Sequence, residues 1–330
     1  MLKKLVLLTL VATLLAACGT AQPTTTETPV APPLVHIKLP VGYIPNVQFA
    51  PLYVAVERGY FKDAGIEIEF DYSLETDGVA LVGADTVQFG VASGDQVLQA
   101  RAKSLPIVYV MAWYQKYPVS IISVEDQNIH APQDLKGKKI GIPGLFGASY
   151  VGLLAVLHSA GLQESDVTLD SIGFNQVEAF TAGKDPIIVG YAANEPVVLT
   201  AKGFSLNELR VSDYAQLASN GIITNEKTIR DNPDLVRKFV GALAQGIQDT
   251  IADPDAAYEI CKKYVPNLDQ VDPTTQKQVL ATSIQLWKAP VIGVSDPAAW
   301  GNMQKVLLDM KLYTTPLDLS KAFTNDFLPK

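Results

Sequence analysis

Val35, Ile37, Leu39 and Val41 alternate with other residues, and then Phe49, Leu52, Tyr53 and Val56 recur at helical spacing. Beyond Gly65 the period returns to two: Ile66, Ile68, Phe70 and Tyr72 share one face, and Glu67, Glu69 and Asp71 share the other. The pattern predicts a strand, a helix and a second strand, the last buried on one side only. In an open parallel sheet ligands collect beyond the carboxyl ends of the strands, which makes the loop Gly42-Tyr43-Ile44-Pro45-Asn46 a candidate site.

Similar alternations follow along the chain. A helix start is expected over 77–82 and a strand over 87–92, and then a helix opening near Asp95, with Ser93 and Asp95 placed to cap it. The apolar run 107–113 reads as an interior parallel strand leading into the aromatic-rich Trp113-Tyr114-Gln115-Lys116-Tyr117-Pro118. Past Pro118 the pattern restarts. Strands are expected at 119–124, 138–142, 167–172, 186–191 and 209–211, with a glycine-rich turn at 143–149 opening a helix that stops at Gly161. Residues 221–224 are expected as a strand crossing back to the first set.

The remainder reads as helical. Asn232-Pro233, Asp253-Pro254, Asp272-Pro273 and Asp296-Pro297 each set a capping side chain before a proline suited to a first helical turn. Leu235, Phe239, Leu243, Ile247 and Ile251 form an apolar stripe on the longest helix, a core face that should buttress the first set of strands. About 300 residues suit two lobes, predicted as 34–118 with 222–330, and 119–221, joined by two crossing strands as a hinge. The fold class expected is therefore α/β and two-lobed.

Composition adds an address. Lys3 and Lys4 precede a short apolar run, 5–15, and then Leu15-Ala16-Ala17-Cys18: an export signal over residues 1–17, too short to remain as a membrane span. The cleavage site has the pattern of a bacterial lipoprotein signal, with Cys18 the lipidated residue and a Thr/Pro-rich flexible linker over 18–33. The mature domain keeps a single cysteine, Cys261, so no internal disulfide is expected. The three histidines are far apart, and neither a metal nor a cofactor is expected. A net charge of −8 argues against nucleic acid as a partner.

The run GYIPNVQFAPLYVAVERGYFKDAGIEIEF, followed in order by ASGDQ, DLKGKKIGIPG, GASY and ANEP, resembles the NMT1/THI5-like substrate-binding proteins of bacterial ABC importers. The resemblance implies a type II periplasmic-binding-protein-like fold whose lobes close over one small molecule. The partners implied are an ABC permease with its ATPase, and the membrane through a lipid anchor on the extracytoplasmic face; the protein is expected to be monomeric. LETDG and WYQKYPVSIIS look most like the riboflavin-binding branch, with thiamine-precursor pyrimidines as the alternative. Fungal relatives that synthesise the pyrimidine carry a cysteine-rich motif that this chain lacks, so a binding protein rather than an enzyme is expected.

On their own chemistry, Tyr43, Phe49, Trp113, Tyr114, Phe146 and Tyr191 supply faces on which a flat heterocycle stacks, worth roughly 1 to 3 kcal/mol per ring. Asn46, Asp95, Ser149, Asn194 and Glu195, with the amides of Gly147 and Ala148, are the polar candidates. A sulfonate would need cations, and these loops offer Lys116 alone. Trp113→Ala is expected to weaken binding without unfolding the protein.

Overall fold

Alternation over Val35–Gly42 produces strand β1 in the computed structural model, which describes residues 33–329. The signal segment, Cys18 and all but the last residue of the linker lie outside the described residues. A 3-10 turn, Val47–Phe49, leads into helix α1, Ala50–Glu57, and α2, Tyr60–Asp63. Gly59 and Gly65, at φ +79° and +78°, make the two tight turns around α2. The chain then returns as β2, Ile66–Leu74, parallel to β1 with Val35 opposite Ile66 and Leu39 opposite Phe70. Ile66, Ile68, Phe70 and Tyr72 join the core while Glu67 and Glu69 face solvent, as the alternation requires.

Helix α3, Glu75–Gly83, is followed by β3, Gly90–Ser93, α4, Gly94–Ala102, and β4, Ile107–Ala112. Strand β4 is not the interior parallel strand its apolar run suggests. It pairs antiparallel with β10, Asn220–Asn225, at the edge of a three-stranded sheet ordered β3-β10-β4, with β1 alongside β3. Its outer edge is met by single bridges from Phe323 and Gly293, so C-terminal segments bury it without completing a sheet.

The second sheet is ordered β7-β6-β8-β5-β9 and comprises β5, Val119–Val124, β6, Lys139–Ile142, β7, Thr168–Ser171, β8, Ile187–Tyr191, and β9, Leu206–Arg210. Strands β6, β7 and β8 run parallel, while β5 opposes both β8 and β9. Helices α5, Gly147–Ser159, α6, Gln176–Thr181, and α7, Glu195–Ala201, connect them.

The C-terminal helices are α8, Glu226–Asp231, α9, Pro233–Ala252, α10, Pro254–Cys261, α11, Pro273–Trp287, and α12, Pro297–Asp309. All four Asx-Pro starts act as caps: Asn232, Asp253, Asp272 and Asp296 each accept a backbone N–H from their own first turn, at 2.9 to 3.2 Å. Helix α9 lays its apolar stripe on α1 and α2, where Phe239 meets Phe61 at 5.2 Å, and the same ring stacks on Phe89, just before β3, with centroids 4.1 Å apart. Gly246 permits the closest approach, because a Cβ there would stand 2.2 Å from the Pro51 carbonyl oxygen.

One apolar cluster spans α4, with Val97 and Leu98, and α5, with Val151 and Leu154. The helices on the two sheets therefore share packing, and the described residues from 34 onward form one compact unit. Among the described residues no helix is long and apolar enough to cross a membrane.

Candidate functional site

The carboxyl ends of β1, β4, β6 and β8 converge on one cleft. It holds a cavity of about 90 Å³ within about 850 Å³ of empty space that includes the open mouth. Ten of the thirteen residues nominated from sequence line it: Tyr43, Phe49, Trp113, Tyr114, Phe146, Gly147, Ala148, Ser149, Tyr191 and Glu195. All but Phe49, which ends the 3-10 turn ahead of α1, stand where a strand hands over to a loop or helix, which is what brings residues so distant in sequence together.

Asn46, Asp95 and Asn194 do not line the cleft. Asn46 is a cap; its Oδ1 accepts the Gln48 N–H at 3.0 Å at the head of the 3-10 turn. Asn194 turns inward and donates from Nδ2 to Glu195 Oε1 at 3.0 Å. Asp95 is fully buried, and its Oδ2 accepts from Gln96 and Gln99. Neither Ser93 nor Asp95 makes the side-chain cap expected for α4.

Among the lining residues that were not nominated, Gln48, Glu75, Phe174, Gln176 and Asn220 supply polar or aromatic groups. Glu75 lies in the LETDG segment, but nothing in that segment alone aims its carboxylate at a cleft. Phe174 and Gln176 follow β7, at the start of α6, where the sequence shows only an ordinary helix start.

Seven aromatic residues line the cleft. Tyr43 beyond β1 meets Phe174 beyond β7 edge to face, centroids 4.8 Å apart at 83°, so the two sheets touch through these rings. Phe49 packs at 6.0 Å from Trp113, and Tyr114 meets Tyr191 edge-on at 6.3 Å. Trp113 is 1% exposed and sits in the core beside Trp287. Deleting so large a buried ring typically costs about 3 to 5 kcal/mol of stability, so Trp113→Ala removes packing as well as any ligand contact. Among the described residues the Trp113 Nε1–H has no partner.

Polar groups are held in place around these rings. Tyr114 donates to Gln48 Oε1 at 3.3 Å and Tyr191 to Asn220 Oδ1 at 3.1 Å. The Tyr191 backbone N–H donates to Glu195 Oε2 at 2.7 Å. Glu75, the first residue of α3, accepts at Oε1 from the Ser93 amide at 2.5 Å and the Ser93 hydroxyl at 2.7 Å.

Electrostatically the cleft is one-signed. It is lined by Glu75 and Glu195 and, among the described residues, by no Lys, Arg or His. Lys116 instead edges a separate hollow that shares Tyr114. Burial, and then the charge of Asp95, raise the Glu75 carboxyl above the ordinary range against the lowering effect of the Ser93 bonds. Burial likewise raises Asp95 and Glu195. The phenols of Tyr114 and Tyr191 are raised by burial and stay neutral. Cys261 is buried in the first core and its thiol is pushed up to about 12 by that burial, so it offers no nucleophile here.

The family described as NMT1/THI5 like matches residues 46–257. The chain is 39% identical to the riboflavin-binding protein RibY of Chloroflexus aurantiacus over 99% of its own length and 98% of that protein's. It is 26% identical to the 4-amino-5-hydroxymethyl-2-methylpyrimidine phosphate synthase of Legionella pneumophila, over 89% of this chain and 92% of that one. Among solved structures it resembles the alkanesulfonate-binding protein SsuA of Xanthomonas axonopodis, bound to MOPS, with a TM-score of 0.71 at 17% identity over 89% of this chain and all of that one. The fold is therefore the α/β periplasmic-binding-protein fold, and the chain belongs to the NMT1/THI5-like family.

Proposed function

We propose that the protein is the solute-binding lipoprotein of an ABC importer, held at the extracytoplasmic face by lipid on Cys18, and that it captures riboflavin. One observation carries the ligand: a cleft walled by seven aromatic residues and, among the described residues, by no cation, in a chain 39% identical end to end to a riboflavin-binding protein. Aromatic faces hold a fused ring by stacking, roughly 1 to 3 kcal/mol each, and two such contacts supply much of the approximately 8 kcal/mol of micromolar binding. Gln48, Gln176, Asn220 and the carboxylates then read its polar edge and side chain.

In this reading residues 34–118 with 222–330 and residues 119–221 act as two lobes, and the crossing segments act as a hinge. Ligand contacts made with both lobes favour the closed form, which a permease and its ATPase recognise. The Tyr43 to Phe174 contact is the kind of junction that such closure makes. The site performs no reaction.

The narrowness of the cleft favours a second ligand. A single-ring pyrimidine related to thiamine needs less room than a tricyclic ring, which enters only as the walls part. Thermal-shift and calorimetric titration of the purified protein with riboflavin, thiamine, hydroxymethylpyrimidine and taurine separates these readings. Riboflavin should raise the melting temperature; a shift with the pyrimidine alone assigns the alternative, and a shift with taurine alone overturns both.

A further inference from the structure

Glu75 is a built feature rather than an incidental carboxylate. It is wedged between two glycines in the left-handed region, Gly42 at φ +78° and Gly147 at φ +65°. A Cβ on Gly42 would stand 3.2 Å from the Glu75 Cβ, and one on Gly147 would stand 3.0 Å from Glu75 Oε2. With Oε1 occupied by Ser93, Oε2 is left beside the first residue of α5, across the cleft from its own helix.

Behind it Asp95 is fully buried; the Ser93 side chain and the first amides of α4 approach its carboxyl and oppose the effect of burial, its Oδ1 makes no well-formed hydrogen bond, and among the described residues no cation lines the cleft. Tyr117 and Tyr191 also face the pair and are kept neutral by burial. Two close carboxylates without a counter-ion cannot both carry charge comfortably, and burial raises both of them. An N–H or O–H donor on a ligand answers this arrangement; a phosphate brings about −1.5 to −2 further charges into it, with nothing to pair them.

We propose that Glu75, backed by Asp95, is the specificity-determining group of the cleft, reading hydrogen-bond donors on the ligand and turning away its phosphate esters. This rests on the riboflavin reading and adds to it that the cargo is the free vitamin and not riboflavin 5′-phosphate.

Calorimetric titration of the protein with both flavins at neutral pH tests it. Wild type should bind riboflavin at least about 100-fold tighter than the ester, the scale of an unpaired buried charge against a made hydrogen bond. Glu75→Gln should weaken riboflavin about 10-fold, as loss of a charged acceptor does, and bring the ratio of the two below about 10. Equal affinity of wild type for the two flavins overturns the proposal and leaves the riboflavin reading standing, as does an unchanged ratio in a folded Glu75→Gln variant. Binding of neither flavin overturns the riboflavin reading and this inference with it. Because the wild-type ratio needs no variant, the test holds even if Glu75→Gln fails to fold.

Discussion

Replacing Trp113 by phenylalanine separates packing from recognition. The indole is 1% exposed, packs between Phe49, Tyr114 and Trp287, and buries an Nε1–H with no partner. An unsatisfied buried donor costs about 1 to 3 kcal/mol, so removing it stabilises the unliganded protein. The smaller ring opposes this through the space it leaves, at about 24 cal/mol per Å³ of residual cavity. The two effects nearly cancel, and the unliganded variant should melt within a few degrees of wild type. Binding is different. If a ligand carbonyl or ring nitrogen accepts from Nε1, Trp113→Phe loses that bond and with it about 1 to 2 kcal/mol, a 5- to 30-fold weaker affinity. Isothermal titration measures the affinity, and thermal unfolding of the same preparation measures stability. Affinity within twofold of wild type in the folded variant would refute the reasoning that the orphaned indole N–H is reserved for ligand. Trp113→Ala, by contrast, should lower stability by about 3 to 5 kcal/mol and lose affinity at the same time.

Phe174→Ala should lower stability by only about 0.5 to 1.5 kcal/mol, the worth of its edge-to-face contact with Tyr43, because the ring is half-buried, and should also weaken ligand affinity about 3- to 10-fold by removing one aromatic wall of the cleft; thermal unfolding checks the first and titration calorimetry the second. Gly246→Ala forces a Cβ to within 2.2 Å of the Pro51 oxygen, so α9 must move off α1, and urea unfolding should report a loss of about 1 to 3 kcal/mol. Glu75 makes the unliganded protein sensitive to pH. Its folded pKa is pushed up to about 7 from 4.5, so its stabilising contribution is complete below the unfolded value and is lost as pH rises through about 7. The melting temperature of wild type should therefore fall relative to Glu75→Gln between pH 5 and 8, and parallel curves would rule out the raised carboxyl.

Much of this arrangement was legible before any coordinates. Alternation over 35–41 and 66–72 is a local property of a strand buried on one face, so β1 and β2 and their facing could be read directly. An Asx before a proline acts on its own first turn, so the four C-terminal caps needed no tertiary information either. Aromatic residues at predicted strand ends found the cleft because parallel strands deliver their carboxyl ends to one edge.

Tertiary structure decided matters of partnership. The apolar run of β4 carries no record of whether its neighbour runs parallel or antiparallel, and only the return of β10 determines that. Asn46, Asp95 and Asn194 looked like ligand groups because a polar side chain at a strand end can face either a ligand or a neighbour, and here each turns to a backbone amide or an adjacent side chain. Glu75 became visible only when folding set it against Ser93 and Asp95 and across from Gly147, a meeting of residues tens of positions apart that no local pattern encodes. Periodicity is written by each segment's own burial, whereas the direction in which a polar group spends its hydrogen bonds depends on what the rest of the chain brings to it.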